Sequence, residues 1–243
     1  MRFPHVSLSS PVMKNFAKRF YWAILDFLFP KICVACEKQI LSAESAICFA
    51  CLWSLPRYSK HLILNHSLAA KFWGKVQVGS VYAYLQFSKR DKVQRVLHAL
   101  KYKHQSSLGD LFGRLMATEL DAQAMEGAVL LPIPLHKSRL RQRGYNQALC
   151  LAKGMSTVLG CPVAENVLLR GLKTATQTKT GGRLRRFFNL HAAFYVAENA
   201  QVPRKVLLVD DVLTTGATLE AAALVLKKAG VEEIHLACLA AAL

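Results

Sequence analysis

The stretch Val206-Leu-Leu-Val-Asp-Asp-Val-Leu-Thr-Thr-Gly-Ala-Thr218 constrains the fold more than any other part of the chain. Four apolar residues in a row read as a strand buried on both faces, which belongs in a parallel sheet covered by helices. Two carboxylates follow at once, where such a strand is expected to end and where open α/β sheets bind ligands. Thr214-Thr215-Gly216-Ala217-Thr218 then leads into a helical pattern over Thr218–Lys228. Unpaired N–H groups and the helix dipole attract an anion at such a mouth, threonine hydroxyls add donors, and a glycine lets backbone approach closely. The loop lacks the lysine of a nucleotide P-loop. An anion cradle beside two acids suits a ribose 5-phosphate: the loop takes the phosphate, and the carboxylates accept hydrogen bonds from two vicinal hydroxyls. Asp210 and Asp211 are thus the candidate catalytic pair, with Thr214, Thr215, Gly216, Ala217 and Thr218 as candidate phosphate ligands. A plain helix cap with a solvated acidic pair is the alternative.

The flanking sequence repeats the alternation of strand and helix. Strands are expected at Val76–Leu85, Ala128–Ile133, Val167–Arg170, Lys205–Val209 and Ile234–Leu239. Helices are expected from a Ser88/Asp91 capping start, over Leu108–Leu120 and over Asn146–Leu159. The pattern predicts an α/β fold with a mostly parallel sheet and helices on both faces. Four segments follow: a tail with an amphipathic helix (1–29), a cysteine module (30–58), a linker (59–74) and the main domain (75–243). No apolar run approaches the roughly 20 residues of a membrane span, and no secretory leader is legible, so a cytoplasmic protein without stable membrane insertion is expected.

Cys33-x2-Cys36 and Cys48-x2-Cys51 lie eleven residues apart. Two such pairs supply four thiolates for a structural zinc ion, with no position left open for catalysis. Reduced cysteines packed in a small core are the other reading.

Net charge is +17, and its distribution matters more than its size. Between Gly127 and Ala197 there are eleven Lys or Arg and one acid, Glu165. A block of this kind favours a polyanion, either a nucleic acid or a multiply phosphorylated small molecule. The stretch after Leu131-Pro-Ile-Pro134 reads as a basic loop. It holds Lys137, Arg139, Arg141 and Arg143 ahead of Gly144, and suits a pyrophosphate, a nucleic-acid backbone or a solvated charge run. Leu172–Asn189 holds Lys179, Arg183, Arg185 and Arg186 with a Gly-Gly hinge and Phe187–Phe188, as expected of a mobile lid. Basic residues beside aromatics also suit single-stranded nucleic acid, although buried phenylalanines would serve as anchors equally well.

Taken in order, these motifs resemble the ComF family within the type I phosphoribosyltransferase superfamily. The resemblance rests on the cysteine pairs, Leu100-Lys-Tyr-Lys103, Pro132-Ile-Pro134…Arg143-Gly-Tyr-Asn-Gln147, Gln177…Arg186…Asn189…Phe194, and Val209-Asp-Asp-x3-Thr-Thr-Gly-x-Thr218. Two departures stand out: Phe187–Phe188 occupy a stretch where more basic residues are expected, and residues 1–28 have no counterpart. The resemblance implies that Asp210 and Asp211 hold the ribose hydroxyls of phosphoribosyl pyrophosphate. It implies further that Thr214–Thr218 holds the 5-phosphate and that Mg²⁺ accompanies the pyrophosphate. It also implies a role in DNA uptake or use of DNA as nutrient, with single-stranded DNA as partner. On that view Lys101, Lys103 and the lid cations touch nucleic acid, and a DNA-uptake helicase or processing protein is a further partner. An active transferase with an unknown acceptor is the rival expectation, although no base-recognising element is legible in the sequence.

Overall fold

A computed structural model describes residues 30–40, 46–58, 66–88, 91–102, 105–171 and 194–242. The tail helix expected in 1–29 and the whole of the expected lid lie outside these residues. So do Lys103, Lys179, Arg183, Arg185 and Arg186.

The apolar run at Val206 is the inner strand the sequence predicts. Strands β1 (Val81–Gln86), β2 (Val129–Pro132), β5 (Lys205–Leu213) and β6 (Glu233–Ala241) form one parallel sheet in the order β1-β6-β5-β2. Alternate β5 side chains serve opposite faces. Leu207 and Val209 pack into one core, Val206 and Leu208 into the other, and all four are fully buried. The first core is covered by α3 (Lys92–Tyr102), α4 (Ser106–Thr118) and α6 (Gln147–Leu159), the second by α7 (Ala217–Lys228).

The helix boundaries follow from their caps. The Asn146 carboxamide accepts from the Ala148 N–H at 3.1 Å to start α6, and Gly160 in the left-handed region ends it. At α3, Asp91 itself is the cap. It accepts from the Gln94 N–H at 2.9 Å while the Ser88 hydroxyl donates to it at 2.6 Å, so Ser88 braces the cap instead of forming it. Helices α4 and α6 approach closely because glycines face each other. A Cβ on Gly154 would lie 2.2 Å from the Asp110 carbonyl oxygen, and one on Gly113 would lie 2.1 Å from that of Leu151.

Several expected boundaries move. The strand expected at Val76–Leu85 begins only at Val81. The strand expected to stop at Val209 continues to Leu213, because β6 pairs with it through Asp210↔Cys238 and on to Leu213↔Ala241. The strand expected at Val167 is β3 (Leu168–Arg170). It joins β4 (Phe194–Val196) in a separate antiparallel pair and not the main sheet. The expected linker is structured in part: it contains α2 (His66–Ala69) and a 3-10 turn, and buries Leu68 and Phe72 in the second core. The cysteine segment, which carries α1 (Phe49–Ser54), packs against the main sheet's first core. Cys33, Val34, Ile47, Cys51 and Leu55 share the first core with Leu85, Val96 and Leu100. Among the described residues, no helix is long and apolar enough to cross a membrane.

Candidate ribose-phosphate cleft and cysteine cluster

Parallel pairing brings the carboxyl ends of all four main strands to one edge. A cleft of about 450 Å³ opens there. Asp210, Asp211, Thr214 and Thr218 form one side, and Arg139, Arg143 and Arg170 face them.

Asp210 lies at the floor. Burial pushes its carboxyl up, the negative charge of Asp211 adds to this, and the result is about 8 despite the Asp211 N–H donated to it at 2.8 Å. Asp211 is paired: the Lys101 ammonium lies 2.9 Å from its carboxylate, with both groups mostly buried. Lys101, expected to meet nucleic acid, therefore belongs to the acidic pair. Two adjacent carboxyl groups supply the hard oxygen donors a divalent ion takes, and Lys101 is the cation such an ion would displace from Asp211.

The loop expected to hold phosphate turns through Gly216, whose φ of +84° disfavours any side chain. A Cβ there would stand 3.1 Å from the Phe72 ring and in a strained backbone conformation. Thr214 and Thr218 line the cleft. Thr215 is exposed beside it, Gly216 is buried, and Ala217 is the first residue of α7.

The basic stretch is a helix and not a loop. α5 (Lys137–Arg143) starts at His136, whose Nδ1 accepts from the Ser138 N–H at 3.3 Å, and ends at Gly144 in the left-handed region. Gly144 thus closes α5, and Asn146 opens the next helix. Helical periodicity sorts the four cations. Arg139 and Arg143, one turn apart, line the cleft, while Lys137 and Arg141 are exposed away from its lining. The residues after α5 fasten the cleft together. Tyr145 donates to the Leu100 carbonyl at the end of α3, Asn146 donates to the Ile133 carbonyl at 3.0 Å, and Arg143 donates to the Gln147 side chain at 2.8 Å.

Arg170 is a cleft residue that sequence reasoning missed. It sits over the Phe194 ring at 5.1 Å, and burial, with repulsion from Arg139, lowers its pKa. Its signal was a lone arginine at the carboxyl end of an apolar strand. His98 and Tyr102 of α3 were missed as well.

At the other site, the sulfurs of Cys33, Cys36, Cys48 and Cys51 all lie within 4.8 Å of one another. Tetrahedral thiolate zinc with Zn–S of about 2.3 Å implies S–S separations of about 3.8 Å. Cys36 and Cys48 are 3.9 Å apart, so the four residues fit a metal ion. Burial alone would raise Cys33, but backbone N–H groups, led by that of Cys48 at 3.3 Å, outweigh it and bring the thiol down to about 6. Burial and the neighbouring sulfurs push Cys51 up to about 12.

Comparison with known proteins agrees with this fold. Residues 146–243 match the phosphoribosyl transferase domain family. The chain is 33% identical over 211 residues to competence protein F of Haemophilus influenzae, covering 84% of this chain and 87% of that protein. It is 29% identical over 214 residues to the DNA utilization protein YhgH of Escherichia coli O157:H7, covering 86% and 89% respectively. It is 27% identical over 229 residues to competence protein ComFC of Bacillus subtilis, covering 89% and 87%.

Proposed function

The chain belongs to the ComF family of type I phosphoribosyltransferase-like proteins, and from that premise we propose that it handles single-stranded DNA in DNA uptake or utilisation and binds phosphoribosyl pyrophosphate in its cleft. The observation that carries this reading is the meeting of two carboxylates, a glycine-turned helix mouth and three arginines at one sheet edge. Asp210 and Asp211 accept the ribose hydroxyls. The Thr214–Thr218 loop holds the 5-phosphate through its N–H groups and hydroxyls. Arg139, Arg143 and Arg170 face the pyrophosphate. Mg²⁺, held by Asp210, Asp211 and the ligand, would supply charge neutralisation for the pyrophosphate; Lys101 would yield Asp211 to it. Zinc at Cys33, Cys36, Cys48 and Cys51 fixes the N-terminal segment against the first core. The names of the relatives, competence and DNA utilization, support the DNA role, as does the excess of positive charge beyond what one pyrophosphoryl ligand needs.

Calorimetric titration with phosphoribosyl pyrophosphate and Mg²⁺ tests the cleft. Saturable binding that the Asp210→Asn/Asp211→Asn variant loses supports the reading; equal heats from both proteins refute it.

A further inference from the structure

The ribose-phosphate reading leaves one charged pair behind the phosphate loop without a task. Glu220 stands in the first turn of α7, where its N–H donates to the Gly216 carbonyl at 2.9 Å. At 1.5 Å of rise per residue it lies only about 6 Å along the axis from the mouth of the helix. Its side chain is 4% exposed, within the buried run Leu219–Ala223. A carboxylate near a helix N-terminus offsets the positive end of the dipole. It therefore opposes the potential that would draw a phosphate to the Thr214–Thr218 loop, and burial leaves little water to screen it.

The compensating cation comes from the segment that precedes β1. The Lys75 ammonium lies 3.5 Å from the Glu220 carboxylate and donates to the Lys71 carbonyl at 2.9 Å. Lys75 is half-exposed, so its ammonium reaches inward from the surface to a carboxylate without such access. The pair is not needed to hold this segment down. Leu68 and Phe72 are buried in the second core, with the Phe72 ring against Gly216, and the Phe72 carbonyl accepts the Lys75 N–H at 3.0 Å. Nor is a buried ion pair a strong source of stability, since desolvation takes back most of the attraction. What the pair does control is the charge behind an anion-binding mouth.

We infer that Lys75 is a positioning residue for phosphate binding: by neutralising Glu220 it keeps the mouth of α7 positive, without touching the ligand. The inference rests on the reading of Thr214–Thr218 as the phosphate-holding loop. One turn of chain then carries both halves of the support, Phe72 fixing the shape of the Gly216 turn and Lys75 its potential.

Equilibrium titration of the full chain with ribose 5-phosphate tests this through a charge cycle. Lys75→Met leaves Glu220 unpaired and is expected to weaken binding on the order of fivefold, the effect of one buried charge close to a phosphate. Glu220→Gln leaves Lys75 unopposed and is expected to tighten binding by about twofold or more. Lys75→Met/Glu220→Gln removes both charges and is expected to return to within about twofold of the parent. For a merely structural pair, both single variants and the double variant lose affinity alike. If Lys75→Met binds as the parent does, or the double variant stays as weak as Lys75→Met, the inference is overturned while the phosphate site stands. Should Lys75→Met fail to fold, Glu220→Gln still decides: affinity equal to or weaker than the parent's overturns the inference. If the parent itself binds no ribose 5-phosphate, the ribose-phosphate reading falls and this inference with it.

Discussion

Replacing Asp210 by Asn is expected to make the ligand-free protein more stable, and increasingly so as pH rises. The carboxyl is pushed from 3.8 to about 8 by burial and by Asp211. Below pH 4 the group is protonated in both folded and unfolded chains and contributes no difference. Between about pH 4 and 8 the folded chain keeps the proton while the unfolded chain releases it, so stability falls as pH rises. Above about pH 8 the penalty is complete and level. At roughly 1.4 kcal/mol per pKa unit the ceiling is near 6 kcal/mol. Asp210 keeps part of its surface exposed at the cleft floor, and Lys101 lies close by, so solvent and counter-charge reduce this to about 2 kcal/mol. For a chain of this size that is a rise of about 4–8 °C in Tm at pH 8. The Asn side chain keeps an oxygen to accept the Asp211 N–H, so the backbone at this point is not disturbed. Thermal unfolding of both proteins from pH 5 to pH 9 without ligand reads the effect directly. A variant that is no more stable than the parent at pH 8, or whose advantage grows toward acid pH, refutes the reasoning. A gain of this kind at the cost of ligand binding would mark Asp210 as retained for function.

Other perturbations give equally definite outcomes. Gly154→Ala, which in an ordinary helix would stabilise by about 1 kcal/mol, sets a Cβ 2.2 Å from the Asp110 oxygen. Overpacking of about 1–3 kcal/mol should therefore dominate, and calorimetry should show a lower Tm. Elemental analysis is expected to find one zinc per chain. Cys51→Ser, or a strong chelator, should remove the metal and loosen Cys33, Ile47 and Leu55 from the first core, seen as loss of near-ultraviolet dichroism. Arg143→Ala should weaken single-strand binding and reduce its salt slope by about 0.7, the share of one phosphate contact.

The parts of the fold that were legible in the sequence are those in which short-range pattern and chemistry coincide. Val206–Asp211 combines an apolar run with acids at its end. α6 has its cap at Asn146 and its stop at Gly160, and the cysteine pairs carry metal-ligand spacing in their numbering. Other features were hidden because they depend on which surfaces meet. α5 contains one apolar residue among seven, so its periodicity was invisible, and its cap is a histidine, His136. α3 was legible from its buried stripe alone; the opposite stripe, with His98 and Tyr102, gained meaning only once the helix end was fixed over the sheet edge by Tyr145. Lys101 looked like one more cation of a basic chain until its ion pair with Asp211 placed it among the carboxylates. Arg170 depends on a two-stranded side sheet whose second strand lies more than twenty residues downstream.

The most direct test of the DNA-handling account is fluorescence anisotropy of a labelled single strand across a salt series, with and without phosphoribosyl pyrophosphate and Mg²⁺. The three cleft arginines Arg139, Arg143 and Arg170 predict a slope of log K against log salt of about −2 if each meets a phosphate. The account predicts this salt-sensitive binding, together with a shift in affinity on adding the ligand in the parent protein but not in Asp210→Asn/Asp211→Asn. No binding at low salt, or an affinity indifferent to the ligand in the parent protein, would contradict it.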